Sequence, residues 1–187
     1  KLLVPEEGTP ETLGVKAKLE LEKEDNLFSA IITGAQSGLN LILGIVALLI
    51  AVFGLMTLAN SLIGLAAEGW SLELLLGKAF LPFAYLLGVP AGDAQAVAGL
   101  LGERLIKTEV AAYGHLASII SSTESMQPRS AIIAAYALCG FAHLPSVAIF
   151  VGGLAAVVPS RKAELGGRAW GALMASRFAC LRSGWVA

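Results

Sequence analysis

Charge is what this chain has least of. Only 14% of its 187 residues are Asp, Glu, Lys or Arg, against about 25% in an ordinary soluble domain, and none of them falls between Asn26 and Ala67. The 13 Lys and Arg against 14 Asp and Glu leave a net charge of −1, so there is no basic surplus to neutralise phosphates, and nucleic acid is excluded as a partner. Cysteine is nearly absent: Cys139 and Cys180 both lie inside apolar runs and read as packing residues rather than as a disulfide or metal pair. There is no Cys/His metal spacing, no Gly-rich phosphate loop after a strand and no Ser/His/Asp arrangement on a soluble scaffold. The chain therefore does not read as an enzyme. It begins at Lys1 without an initiator Met or a signal-peptide pattern, and is expected to be the C-terminal part of something longer.

What is present is apolar. Hydrophobic residues make up 56% of the chain besides 21 glycines, and the mean hydropathy is +0.75, which places it in the membrane class. Lys1 to Asp25 forms a polar connecting segment with Pro5, Gly8 and Pro10 and an alternating stretch around Val15 to Glu22 that fits one short strand. Residues 26–67 form a scaffold transmembrane helix, whose core Leu39 to Leu65 is long enough to span. Gly34 and Gly38 within it have the spacing of a helix-packing motif. Residues 68–187 form a second region. Its first part, 71–89, is interrupted by Glu73, Lys78 and Pro82 and reads as an interfacial helix anchored by Trp70 and Tyr85.

Two apolar arms follow, Ala94 to Ile106 and Val110 to Ile120, on either side of Lys107, Thr108 and Glu109. Each is too short to span, so residues 93–120 form a re-entrant hairpin with a polar tip, or, in a soluble chain, two helices and a turn. The run Ala131 to Pro159 is long enough to cross a bilayer but is interrupted by Gly140, Phe141, Ala142, His143, Leu144 and Pro145. It is best read as a broken helix over 130–159, with unpaired backbone at mid-membrane depth. A final helix covers 163–187, although Arg177 and Arg182 stand where a spanning helix is nearly charge-free. Either they face a polar interior, or the terminus is truncated or altered. Arg161, Lys162 and Arg168, with Lys16, Lys18 and Lys23, place the N-terminal segment and the loop after the broken helix on the cytoplasmic side.

Few side chains here can carry chemistry. A carboxylate at membrane depth costs about 2.5–3.5 kcal/mol unless it faces water or a partner, so Glu109 is either a ligand group or one half of a salt bridge with Lys107 or Arg104. His143 sits in the break, where neutral imidazole offers one donor and one acceptor, and Ser146 adds a hydroxyl at the start of the second half-helix. If a ligand hydroxyl donates to that imidazole, protonation removes the acceptor and binding weakens at low pH. Phe141 either stacks on a base or packs, and His115 reads as a packing or interfacial residue.

The run Tyr136-Ala-Leu-Cys-Gly-Phe-Ala-His143-Leu-Pro-Ser146, followed by Gly152-Gly153-Leu154 and Val158-Pro159-Ser-Arg161-Lys162, resembles the C-terminal region of the concentrative nucleoside transporters. Their signature reads close to ALCGFANFSS, then GGL, then a Pro and a basic pair. The hairpin agrees: Thr108-Glu109-Val110-Ala111-Ala112-Tyr113 is similar to the family's Asn-Glu-Phe-Val-Ala-Tyr. The resemblance implies an all-α membrane protein, half of an inverted-repeat transporter, multi-pass in the inner membrane and homotrimeric. It implies symport of nucleosides driven by sodium or protons, with a non-transporting gating or interaction module of similar fold as the alternative. It also implies that Glu109 contacts the ribose, that Ser146 hydrogen-bonds the nucleoside and that Phe141 lies beside it. His143 stands where the family usually has Asn, and Thr108 where it has the Asn before Glu. The family's first repeat, with its Gln-Thr-Glu hairpin and sodium ligands, is not in this sequence, so no residue here is assigned to the ion.

Overall fold

The computed structural model describes Gly14, Glu24 and residues 26–66, 68–122 and 126–187. The expected polar segment over residues 1–25, with its strand and its lysines, falls outside the described residues apart from Gly14 and Glu24. Seven α-helices follow, and there is no strand among the described residues: α1 Leu27–Ala66, α2 Leu72–Leu86, α3 Ala91–Ile106, α4 Glu109–Ile120, α5 Pro128–Leu138, α6 Leu144–Val157 and α7 Lys162–Val186.

α1 starts where Asn26 can cap it, its Oδ1 accepting from the amide of Ser29 at 2.8 Å. It runs for 40 residues, about 60 Å at 1.5 Å per residue and twice the hydrocarbon thickness of a bilayer. Among the described residues it is the one helix long and apolar enough to cross a membrane by itself. None of its side chains is buried within the chain, and nothing approaches Gly34 or Gly38. α1 rests on α6 because Gly152 and Gly153 of α6 leave room for Leu48 and Leu41. Its far end is tied to the start of α2: Asn60 donates to Glu73 at 3.0 Å and accepts from the amide of Leu72 at 2.7 Å.

α2 packs antiparallel along α3. Ser71 caps it by accepting from the amide of Leu74 at 3.1 Å, and Gly88, at φ +80°, turns the chain back. A Cβ added at Gly102 would lie 2.6 Å from the backbone nitrogen of Gly77, so the two helices meet at their glycines as closely as backbones allow. The hairpin arms are α3 and α4, joined through Lys107 and Thr108, and both pack on α5. α7 closes the far side of α5, and α6 lies between α1 and α7. The core shared by α2, α3, α4, α5 and α7 is rich in small residues, with Ala84, Ala98, Ala112, Ala134 and Ala137 buried beside Leu100, Leu101 and Leu138. Of the cysteines, Cys180 is buried in this packing, whereas Cys139 is exposed at the end of α5, and neither is bonded to the other.

Gly102→Ala is expected to force α2 off α3 and cost about 1–3 kcal/mol, the usual range for overpacking. Thermal unfolding of the purified full-length protein reads this directly. Gly92→Ala, at a position of the same helix with open space, is the control and should be neutral or slightly stabilising.

Candidate functional site

The break lies between the end of α5 at Leu138 and the start of α6 at Leu144. A helix end leaves amides or carbonyls without intrahelical partners, and inside an apolar bundle each must find another. At the α6 end the partners are local. His143 is the cap: its Nδ1 accepts from the amide of Ser146 at 2.9 Å, while Ser146 Oγ accepts from the amide of His143 at 3.2 Å and donates to the carbonyl of His143 at 2.6 Å. This is a capping box with imidazole in place of the usual hydroxyl or carboxylate. Pro145, in the first turn, lacks the amide that would have been left over there.

Because Nδ1 accepts, a neutral His143 carries its proton on Nε2. That nitrogen lies 2.6 Å from Oε2 of Glu109. The two atoms are in contact without full hydrogen-bond alignment, and neither has another partner among the described residues. Glu109 opens α4, where the positive end of the helix dipole favours a carboxylate. His143 is 1% exposed and Glu109 26%, so the ring is sealed while the carboxylate keeps a face toward open space. Phe141 stands at the rim, 41% exposed, its ring edge-on to His143 at 4.7 Å and to Phe150 at 5.4 Å. A mostly apolar cavity of about 340 Å³ runs from Phe141 and Ser146 between α6 and α7, past Leu165, Leu173 and Ser176. Glu109 and His143 do not line it.

The hairpin tip and the break thus meet, bringing together Glu109, His143, Ser146 and Phe141. Thr108 is at the cap of α4, half-buried and without a capping hydrogen bond. The alternative in which Glu109 pairs with Lys107 or Arg104 does not occur: Lys107 binds Glu103 at 2.9 Å, and Arg104 points to backbone carbonyls. The expectation that a ligand hydroxyl donates to His143 also fails on geometry, because its acceptor nitrogen is spent on the cap. His115, expected to pack or lie at an interface, is exposed and pairs with Glu103 at 2.7 Å.

Three polar residues of this region take backbone partners that the sequence did not show. Arg104 is buried and donates to the carbonyls of Ala137 and Gly140. Tyr113 donates to the carbonyl of Ala135 at 2.7 Å. Arg177, the anomaly of the last helix, does face inward: it donates to the carbonyl of Leu101 and lies over the ring of Phe80 at 4.6 Å. The available signal was a charged residue within an apolar run, which for Arg104 reads like any hairpin-arm cation until α5 is placed beside it.

All residues from 1 to 187 match a protein family described as the Na+ dependent nucleoside transporter C-terminus. The chain belongs to this family. It is 34% identical over 206 residues to solute carrier family 28 member 3 of Mus musculus, covering all of this chain and 29% of that protein. It is 33% identical over 169 residues to the nucleoside permease NupC of Helicobacter pylori, covering 87% of this chain and 40% of the permease. A solved structure of a CNTnw variant in an outward-facing state superposes with a TM-score of 0.81 at 27% identity, over 91% of this chain and 44% of that one. The chain thus spans less than half the length of each of these relatives. The fold is that of the nucleoside transporters, an all-α membrane protein, and the family is one of transporters rather than enzymes.

The Asn that the resemblance puts in place of His143 has a physical counterpart in the imidazole. An Asn side chain also offers an acceptor for a capping amide and an N–H donor at its far end. His143→Asn is therefore expected to leave thermal stability within about 0.5 kcal/mol, whereas His143→Ala should lose about 1 kcal/mol or more through the missing cap. Melting curves of the two full-length variants, side by side, decide it.

Proposed function

We propose that this chain is the C-terminal part of an ion-coupled nucleoside transporter, multi-pass in the cell or inner membrane. The observation that supports it most is the meeting of Glu109 at the hairpin tip with His143 at the helix break, in a chain whose family is named for this activity. In this reading residues 26–67 are a scaffold helix and residues 68–187 a transport repeat that moves against it, exposing the site to one side and then the other. The apolar faces of α1, none of them buried within the chain, are covered by lipid and by neighbouring copies in a homotrimer.

The nucleoside sits at the rim of the break. Glu109, an acceptor-only group when ionised, has one carboxylate oxygen against His143 and takes ribose hydroxyls on the other. The imidazole holds the carboxylate in place and desolvates its far side, which sharpens the donor requirement on the ligand. Phe141 offers its exposed ring to the base. Thr108 lies next to the carboxylate as a secondary polar contact, and Ser146, its proton spent on the cap, accepts at most one further bond. Sodium is the coupling ion, as in the family's description, or protons take its place.

The test is uptake of labelled uridine by the full-length protein with and without sodium. Uptake is expected, and stronger with sodium. Glu109→Gln is expected to abolish it while leaving membrane insertion intact, because Gln keeps the shape but replaces an acceptor-only oxygen by a donor. Wild-type-like uptake by that variant would remove Glu109 from the site.

A further inference from the structure

The α6 end of the break is capped by its own residues, but the α5 end only in part, by the amide of Cys139 on the carbonyl of Tyr136. Of its last four carbonyls, that of Tyr136 accepts from the amide of Cys139 at 3.2 Å and that of Ala135 from the hydroxyl of Tyr113; together they form the negative end of a helix dipole. In discontinuous membrane helices such a carbonyl end is a place where coupling cations are held. Here a side chain occupies it. Arg104, from the first arm of the hairpin, is 0% exposed. Its Nη1 donates to the carbonyl of Ala137 at 3.0 Å and its Nη2 to the carbonyl of Gly140, with Sγ of Cys180 at 3.5 Å from Nη2. No carboxylate among the described residues pairs with it: the neighbouring Glu103 is taken by Lys107 and His115, and Glu109 by His143. The countercharge of this buried guanidinium is the carbonyl end of α5. The packing leaves no slack, since a Cβ at Gly140 would run into Sγ of Cys180 and lie 3.5 Å from Nη2 of Arg104.

We infer that Arg104 is a tethered cation that fills the carbonyl end of the broken helix and acts as a positioning residue for the binding site. The inference rests on the transport reading given above. The hairpin grips the break at three points, Arg104 and Tyr113 on the α5 side and Glu109 on the α6 end. Removing the first grip lets the break shift relative to the hairpin tip, so the carboxylate no longer meets the ligand at its proper place. A fixed charge at this end also closes it to a mobile ion.

The experiment compares full-length wild type with Arg104→Met and Arg104→Lys, measuring uridine uptake normalised to the protein in the membrane and thermal unfolding of the purified protein with and without millimolar guanidinium. Arg104→Met is expected to raise KM about tenfold or more, the loss from breaking charge-assisted hydrogen bonds, with a lowered melting temperature. Guanidinium should restore both in this variant, and should restore nothing in Glu109→Gln. Arg104→Lys keeps the charge but cannot hold two carbonyls in a planar fork, and should fall between wild type and Met in KM. An unchanged KM in Arg104→Met, or a defect that guanidinium does not relieve, overturns the inference and reduces Arg104 to packing. If Arg104→Met does not fold, Arg104→Lys with a wild-type KM has the same force. Should the wild type itself take up no nucleoside, the transport reading falls, while a guanidinium-dependent rise in the melting temperature of Arg104→Met still separately establishes the cation site.

Discussion

A helix that breaks inside an apolar bundle exposes backbone groups that neither lipid nor core can satisfy, and the polar contacts gathered at the break of this chain answer that one constraint. Each unsatisfied amide or carbonyl costs several kcal/mol in such surroundings. The amides of α6 are met by the His143–Ser146 box and by the absence of an amide at Pro145. The carbonyls of α5 are met by Arg104 and Tyr113 from the hairpin. Beside these contacts stands one carboxylate, Glu109, held against the cap of α6 and open on its other side. The site is the part of the break that its own backbone does not consume.

The hairpin explains why the break is stable at all. α3 and α4 are too short to span, and they are useful because their polar residues are delivered to another helix rather than to water. Gly102 lets α3 lie flat on α2, and Gly140 lets the break press on Cys180 of α7, so donors on α3 reach carbonyls on α5 without intervening solvent. Buried cations are costly when alone. Arg104 and Arg177 both direct guanidinium groups at backbone oxygens, which makes the carbonyls of α5 and α3 the neutralising groups. The Nε atom of Arg104 and the Nε and Nη1 atoms of Arg177 have no partner among the described residues.

Much of this was legible in the sequence, because membrane constraints act on residue type and length. The uncharged run after Asn26 showed α1, the apolar arms around Lys107 to Glu109 showed the hairpin, and the interruption at Gly140 to Pro145 showed the break. Glu109, His143, Ser146 and Phe141 were named from cost and position, and the structure brings them together. The roles of the nitrogen atoms were not legible. Whether Nδ1 or Nε2 of His143 faces Glu109 depends on the turn made by Leu144 and Pro145. The assignment of Arg104 depends on which carbonyls α5 presents to α3, a long-range packing fact that no local pattern encodes. For Arg177 the sequence left open a polar interior or an altered terminus for the same reason, since the ring of Phe80 and the carbonyl of Leu101 are distant in sequence.

The central claim is that the hairpin carboxylate and the capping imidazole act as one unit in holding a nucleoside. A double-mutant cycle on the dissociation constant of uridine for the full-length protein, with Glu109→Gln, His143→Ala and the pair, measures that unit directly, because loss of the cap cancels around the cycle. A coupling of about 1–3 kcal/mol is expected, with the double variant binding nearly as well as the weaker single one. Additive losses would contradict the account, leaving His143 a cap and nothing more.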